Sequence, residues 1–246
     1  MHHVVLERWS RGTSPLHRRD PRAKIVGLVV FLLAVATTPN RCWPYILGYA
    51  LLPLCAILVG RLPVGGVFAR AGIVLPFCGA LALVSLMTGD IERAAALTGK
   101  SYVSAVAVLS VVGTTPMPRL MSGLESLAVP RFLLWVMQFL HRYLFVVSEQ
   151  AQHMRLAAES RGLAGGSRFR RWRVRAATGA LAVLFARSYN RAEGTYRAML
   201  SRSFDGRLHL LVPHRFGWKD GFVLVLAVLV PLALRQFLVL GPWLNL

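Results

Sequence analysis

Acidic residues are scarce in this chain: 10 Asp and Glu stand against 29 Lys and Arg, a formal net charge of +19 over 246 residues. Charge of either sign is also thin, at 16%, while 55% of the residues are hydrophobic. A soluble domain carries roughly 45–50% apolar residues even when Gly is counted. The excess here lies in long runs, so the bilayer is the expected solvent. The surplus of cations then reads as basic cytoplasmic loops facing anionic lipid, rather than as the footprint of a nucleic-acid binder. Cysteine is rare as well. Cys42, Cys55 and Cys78 form no CxxC pair and have no His cluster nearby, so they carry no metal or redox signal. An early apolar core is missing from the first 24 residues, which are mostly polar and include Arg8, Arg11, Arg18, Arg19, Arg22 and Lys24; a cleavable signal peptide is not expected there.

Catalytic motifs are lacking too. The stretch AAALTGKS (94–101) approaches a phosphate-binding loop, but Ala94 stands where the first glycine is required, and without it the backbone cannot readily wrap its N–H groups around phosphates. Ser188, Ser201 and Ser203 have no GxSxG context. His141, His153, His209 and His214 show no paired spacing and no carboxylate partner at ligand spacing. Asp90 and Glu92 fall in a loop rather than at mid-membrane, where a proton relay would need them. Neither an enzyme nor a self-sufficient secondary transporter is indicated.

What is present is a series of apolar helices. Asp20-Pro21 opens the first, since Asp caps a helix start and Pro at the first helical position loses no hydrogen bond. That span runs from about 23 to 37, with Lys24 expected to snorkel at its foot. Further spans are expected at about 43–60, 69–87, 101–113 and 221–240, the last kinked by Pro231; the fourth is short, which leaves room for its start to lie inside AAALTG (94–99). With the N-terminus cytoplasmic, all of the 29 Lys and Arg except Arg41, Arg93, Lys100 and Arg235 fall on the cytoplasmic side. The expected fold is therefore an all-α integral membrane protein of about five transmembrane helices, N-terminus inside and C-terminus outside. Between spans four and five it carries a cytoplasmic platform of amphipathic helices. The division is 1–115 for the basic N-terminal segment and spans one to four, 116–220 for the platform, and 221–246 for the last span.

The platform segments are helical in pattern but not simply transmembrane. His141-Arg142 interrupts the apolar run 132–146, and ATGALAVLFA (177–186) is too short to cross. Tyr189, Ala192, Tyr196 and Met199 make one apolar stripe; Val147, Ala151, Met154 and Ala158 make another. A shorter amphipathic piece spans 118–130. Each long segment ends in the same pattern, Ala-x-x-Ser-Arg-small: Ala157, Ser160, Arg161 and Gly162 in the first, Ala198, Ser201, Arg202 and Ser203 in the second. Arginine at a helix C-terminus is favoured by the helix dipole, which suffices for one copy. Two copies with small flanks suggest something more. Small neighbours let another protein approach the helix end, and a guanidinium offers a planar fork for a carboxylate or a carbonyl-lined groove.

These residues resemble the CbiQ-type transmembrane coupling subunit, or T component, of energy-coupling-factor transporters of the cobalt and nickel importer branch. SPLHRRDPRAKIVG (14–27) is similar to that family's N-terminal signature, 124–163 to its first coupling segment and 184–208 to its second. The resemblance implies a non-catalytic subunit that binds no cofactor itself, with ATP and Mg in two partner ABC-type ATPase subunits. It further implies a separate substrate-binding membrane subunit, cobalt or nickel as cargo, and residence in a bacterial or archaeal plasma membrane. Carried over, Arg161 enters one ATPase groove and Arg202 the other. Ser203 departs from the commoner Arg-Gly ending, which makes Arg161 the tighter expected anchor. The rival from another class is a membrane-anchored binder of anionic lipid or nucleic acid, using the basic, aromatic segment GGSRFRRWRVRAA (165–177).

Overall fold

The structure is a computed structural model describing residues 9–10, 12–39, 46–127, 129–163, 170–204 and 217–240. Within them the chain is all-helical, with no strand. It forms two compact units, Met1–Val129 with Val212–Leu246, and Pro130–Leu211.

In the first unit, α1 (Pro21–Thr37) begins as its sequence demands: Pro21 occupies the first turn and the Asp20 carboxylate accepts the Arg22 N–H at 2.9 Å. Its other end is closed by Thr38, whose hydroxyl donates to the Ala34 carbonyl at 2.8 Å and lies 3.2 Å from the Tyr49 hydroxyl. α2 (Ile46–Gly60) carries Pro53 in its interior. It stops in a Schellman turn, with Leu62 N–H on the Ile57 carbonyl, Arg61 N–H on the Leu58 carbonyl, and Arg61 at φ +51°. α3 (Val64–Ala71) passes through a 3₁₀ turn at Gly72–Val74 into α4 (Leu75–Met87). Gly89, at φ +82°, turns the chain into α5 (Ile91–Gly113).

α5 starts ten residues before the expected fourth span. The polar stretch 91–100 is helix rather than loop, because Ala94–Ala96 are strong helix formers and Ala94 and Ala96 pack inward. α6 (Met117–Ser126) packs on α1, where a Cβ at Gly123 would meet Ile25 Cδ1 at 3.0 Å. This short helix therefore sits in the first unit, whereas the sequence division drew its line before it. α9 (Trp218–Leu240), with Pro231 inside, packs closely along α1: a Cβ on Gly27 would come 2.7 Å from Ala227 Cβ.

The bundle is packed inside out relative to a soluble protein. α4 turns Cys78, Ala82 and Ser85 inward and leaves Phe77 and Met87 at 72% and 91% exposure. Small and weakly polar residues at helix contacts with large apolar ones outside is the arrangement lipid imposes. Val64–Met87 (24 residues) and α5 (23 residues) are each long and apolar enough to cross a bilayer; α2, at 15, is apolar but shorter. Its expected beginning at 43–45 lies outside the described residues. Phe31, Val35, Tyr49 and Val103 knit α1, α2 and α5 into one core cluster, and Ile57, Leu62, Val67 and Val106 form a second.

The second unit consists of α7 (Arg131–Ala158), which continues into a π turn at Glu159–Leu163, and α8 (Arg170–Ser201). His141-Arg142 does not break α7; the helix is continuous over 28 residues. The run 177–186 is likewise the interior of a 32-residue helix. The Tyr143 hydroxyl meets Thr195 Oγ1 at 2.8 Å, and Trp135 packs edge-on against Phe204 with ring centroids 5.8 Å apart. These two pairs run in opposite chain directions, so α7 and α8 form an antiparallel hairpin.

Candidate functional site

Both Ser-Arg motifs are built the same way. Ser160 Oγ donates to the Ala157 carbonyl at 3.0 Å, and Ser201 Oγ donates to the Ala198 carbonyl at 3.0 Å. The Ala-x-x-Ser spacing is thus a hydrogen-bonded device: a serine at a helix end folds its hydroxyl back onto the carbonyl one turn earlier, which has no intrahelical N–H to spare at a terminus. The residue that follows, Arg161 or Arg202, is left exposed. Neighbouring cations are treated differently. Arg155 pairs with Glu159 at 2.8 Å, which raises its pKa chiefly through the hydrogen bond, and Arg197 pairs with Glu193. Among the described residues neither Arg161 nor Arg202 has an acidic partner.

The two ends finish in different backbone turns. Arg161 and Gly162 lie in the π turn that closes α7. Arg202 closes α8 in a Schellman turn: Phe204 N–H reaches the Met199 carbonyl at 3.1 Å, Ser203 N–H reaches the Leu200 carbonyl at 3.0 Å, and Ser203 stands at φ +51°. That is the left-handed conformation glycine adopts most cheaply. The departure from Arg-Gly at Ser203 is therefore first a matter of backbone conformation, in addition to the closeness of approach that its side chain restricts.

Because the hairpin is antiparallel, the arginines lie toward opposite ends of it. Tyr143 opposite Thr195 and Trp135 opposite Phe204 place Arg161 near residue 177 of α8, about 25 residues before Arg202, on the order of 35–40 Å at 1.5 Å per residue. At the Arg161 end the helices part around an open groove of about 810 Å³, into which Arg161, Arg187 and Arg191 project beside Glu149 and His153. His153 Nε2 lies 3.8 Å from Glu149 Oε1, a carboxylate partner at i−4 that the histidine survey of the sequence overlooked.

A second cluster of charge lies in the first unit and is buried. Asp220, in the first turn of α9, accepts the Gly217 N–H at 3.1 Å and the Asp20 N–H at 3.2 Å, and lies 3.8 Å from the Arg19 guanidinium. One carboxylate thereby ties the starts of α1 and α9 together. Lys24 does not snorkel. It is 6% exposed, and its Nζ donates to the Thr114 carbonyl at 3.1 Å and to Thr115 Oγ1 at 2.9 Å, at the end of α5. Arg119 of α6 donates to the His17 carbonyl at 3.2 Å, and His17 is itself held by Ser14 Oγ at 2.7 Å and the Trp9 carbonyl at 2.9 Å. The segment 14–27 is thus a junction where the ends of four helices meet on buried polar groups.

A description of the family CbiQ, "Cobalt transport protein", matches residues 12–211, taking in this junction and both Ser-Arg ends. The chain belongs to the CbiQ family. Its relatives include the cobalt transport protein CbiQ of Rhodobacter capsulatus, 27% identical over 186 residues that cover 76% of this chain and 69% of that one. The energy-coupling factor transporter transmembrane protein EcfT of Bacillus selenitireducens is 27% identical over 257 aligned positions, covering 92% and 94% of the two chains. An uncharacterised protein of Methanocaldococcus jannaschii is 34% identical over 122 residues, 49% of this chain and 44% of its own length. This chain is accordingly a membrane-embedded component of the energy-coupling-factor transport class.

On α8 of this CbiQ-family hairpin, the stripe read from periodicity faces outward. Tyr189 and Tyr196 are 65% and 61% exposed, while Ala180, Leu184, Ser188, Thr195 and Met199 are the half-buried positions. These positions recur at steps of four and seven, one position before each tyrosine, and only Met199 belongs to both sets. On α7, Val147, Met154 and Ala158 of the expected stripe are half-buried and Ala151 is exposed. Leu181, Phe185, Tyr189, Tyr196 and Leu200 thus form an exposed apolar face of α8 among the described residues. Of the basic segment proposed for the rival function, 165–169 lies outside the described residues.

Proposed function

We propose that this chain is the energy-coupling subunit of an ATP-driven importer, docking one ABC-type ATPase subunit at Arg161 and another at Arg202. The observation that carries this is the matched construction of the two ends: the same serine back-bond, an exposed arginine without an acidic partner among the described residues, and neighbouring arginines neutralised within their own helix. A separation on the order of 35–40 Å exceeds the roughly 30 Å diameter of a small domain, so one ATPase can occupy each end without collision. ATP and Mg belong to those partners. Movement of the two ends is transmitted along α7 and α8, and the exposed apolar face of α8 receives the substrate-binding membrane subunit. The names of the relatives support cobalt as cargo, with nickel the alternative from the same importer branch. Five spans, with the N-terminus cytoplasmic, put the hairpin and its cations on the side where ATP is found.

Capture of an ABC-type ATPase co-expressed with this chain, from detergent-solubilised membranes, tests the reading. Wild type should retain it, Arg161→Ala and Arg202→Ala should each weaken retention, and the double variant should lose it. Equal retention by all four proteins would remove the arginines from the docking surface.

A further inference from the structure

We infer that the first unit binds one anionic phospholipid per chain, with its headgroup in a basic basin beside Arg18, Arg19 and Arg61 and an acyl chain in the apolar groove between α1, α2 and α9. The inference rests on the membrane reading of this unit and is independent of ATPase docking.

Two cavities carry it. The basin, about 720 Å³, has a mixed polar and apolar lining from Trp9, the segment 12–19 and the α2–α3 turn, and includes those three arginines, of which Arg19 also lies 3.8 Å from Asp220. The groove, about 300 Å³, is almost wholly apolar, with Leu28, Phe31, Leu52 and Leu226 among its walls and Lys24 at its polar end. They adjoin. Pro15 and His17 line the basin while Leu16 between them lines the groove, and Gly60 lines the basin while Val59 beside it lines the groove. Gly60 is closely packed where the two meet: a Cβ there would come 3.1 Å from Thr114 Cγ2 and 3.7 Å from Leu16 Cδ2.

The helical walls of the groove come mainly from the end of each helix nearest the basin: 23–31 of α1, 52–59 of α2, 107–111 of α5 and 223–231 of α9. An amphiphile with its head in the basin would therefore lie within a single leaflet, the one that faces the basic segment. Pro53 and Pro231 stand in the walls of the groove, and each removes the N–H that would otherwise serve the carbonyl four residues earlier, interrupting the hydrogen-bond ladder of α2 and α9 at this level. Cations in the basin complement a phosphate, and the groove complements a hydrocarbon chain; a soluble anion would use only the first.

Arg61 supplies an independent observation. It occupies the left-handed position of a Schellman turn, at φ +51°, where glycine is favoured. An arginine kept in that conformation and 4.3 Å cation–π packing of Arg70 on Trp9 nearby show a site built around positive charge at some conformational cost.

The test is lipid retention by the full purified chain in mild detergent, read by native mass spectrometry after exposure to phosphatidylglycerol or to phosphatidylcholine with identical acyl chains. Wild type should keep one phosphatidylglycerol and favour it over phosphatidylcholine by about thirtyfold, as expected for two basic contacts at about 1 kcal/mol each. Arg61→Gly should cut that preference about fivefold while leaving thermal stability equal or higher, a combination that a purely structural arginine would not give. Ala56→Leu, which fills the groove, should reduce retention of both lipids. Equal retention of the two lipids by wild type, or retention of neither, would overturn the inference. So would displacement of phosphatidylglycerol by millimolar inorganic phosphate, which would mark a free-anion site.

Discussion

The two units of this chain handle charge in opposite ways. In the membrane bundle Asp20, Lys24 and Asp220 are buried and engaged: Lys24 is satisfied by Thr114 and Thr115, Asp220 joins the starts of α1 and α9, and Asp20 caps α1. In the hairpin the arginines whose side chains are described are exposed, and Leu134 is the only residue of α7 that is buried. Exposed apolar residues also mean different things in the two places. Around α4 they face outward from helices long enough to span a bilayer, where lipid covers them. On α8 they form a face of a long, strongly basic helix that ends in a motif repeated elsewhere in the chain. The bundle closes these buried charges largely on its own groups, although it too exposes Arg18, Arg22 and Arg61 and leaves Asp20 Oδ2 without a partner. The hairpin exposes its described cations together with an apolar face, as the proposed docking requires.

Substitutions can sharpen this contrast or break it. The largest effect is expected from Arg161→Ala with Arg202→Ala. If each arginine meets a desolvated acid or carbonyl groove, each loss costs about 2–5 kcal/mol of ATPase binding, while the melting temperature of the isolated chain stays put because both side chains are solvated. Lys at either site should recover part of the binding, having charge but no fork. Asp220→Ala should do the reverse. It removes the acceptor for the Asp20 and Gly217 N–H groups and leaves Arg19 unpaired, costing about 3 kcal/mol of stability as read by thermal unfolding in detergent.

Gly27→Val is a smaller insult to the same unit. Its Cβ would collide with Ala227 at 2.7 Å, so overpacking of α1 on α9 should cost about 1–3 kcal/mol in the same measurement. Smallest is Ser203→Gly, which relieves a left-handed serine and should stabilise the end of α8 by about 0.5–1 kcal/mol, seen as slower amide exchange over 199–204, without loss of ATPase capture. Capture lost with Asp220→Ala at a temperature where the chain is still folded would break the separation of roles.

Much of this was legible in the sequence where a signal is local. Asp20-Pro21 states its own cap, and the recurrence of Ala-x-x-Ser-Arg marks both helix ends, because capping geometry is settled within one turn. What hydropathy could not show depends on partners far along the chain. Lys24 looks like a snorkelling cation until Thr114 and Thr115, some ninety residues away, bring it acceptors inside the bundle. Residues 91–100 look like loop because Glu92, Arg93 and Lys100 lower their hydropathy, yet three alanines and an inward-facing edge make them helix; Lys100 even reaches the Thr38 carbonyl at 2.6 Å. For α8, periodicity identifies a tyrosine stripe but cannot say whether it faces α7 or solvent. Two apolar faces compete, and the one with smaller side chains (Ala180, Ser188, Thr195) allows the closer helix approach.

Photo-crosslinking in native membranes tests the central claim most directly. A short crosslinking amino acid would be placed in turn at Ser160, at Ser203 and, as a control on the apolar face, at Tyr189, with the ABC-type ATPase co-expressed. The account predicts ATPase adducts from both 160 and 203, and from 189 an adduct with a membrane protein instead. ATPase adducts from 189 alone, with none from either Ser-Arg end, would contradict it.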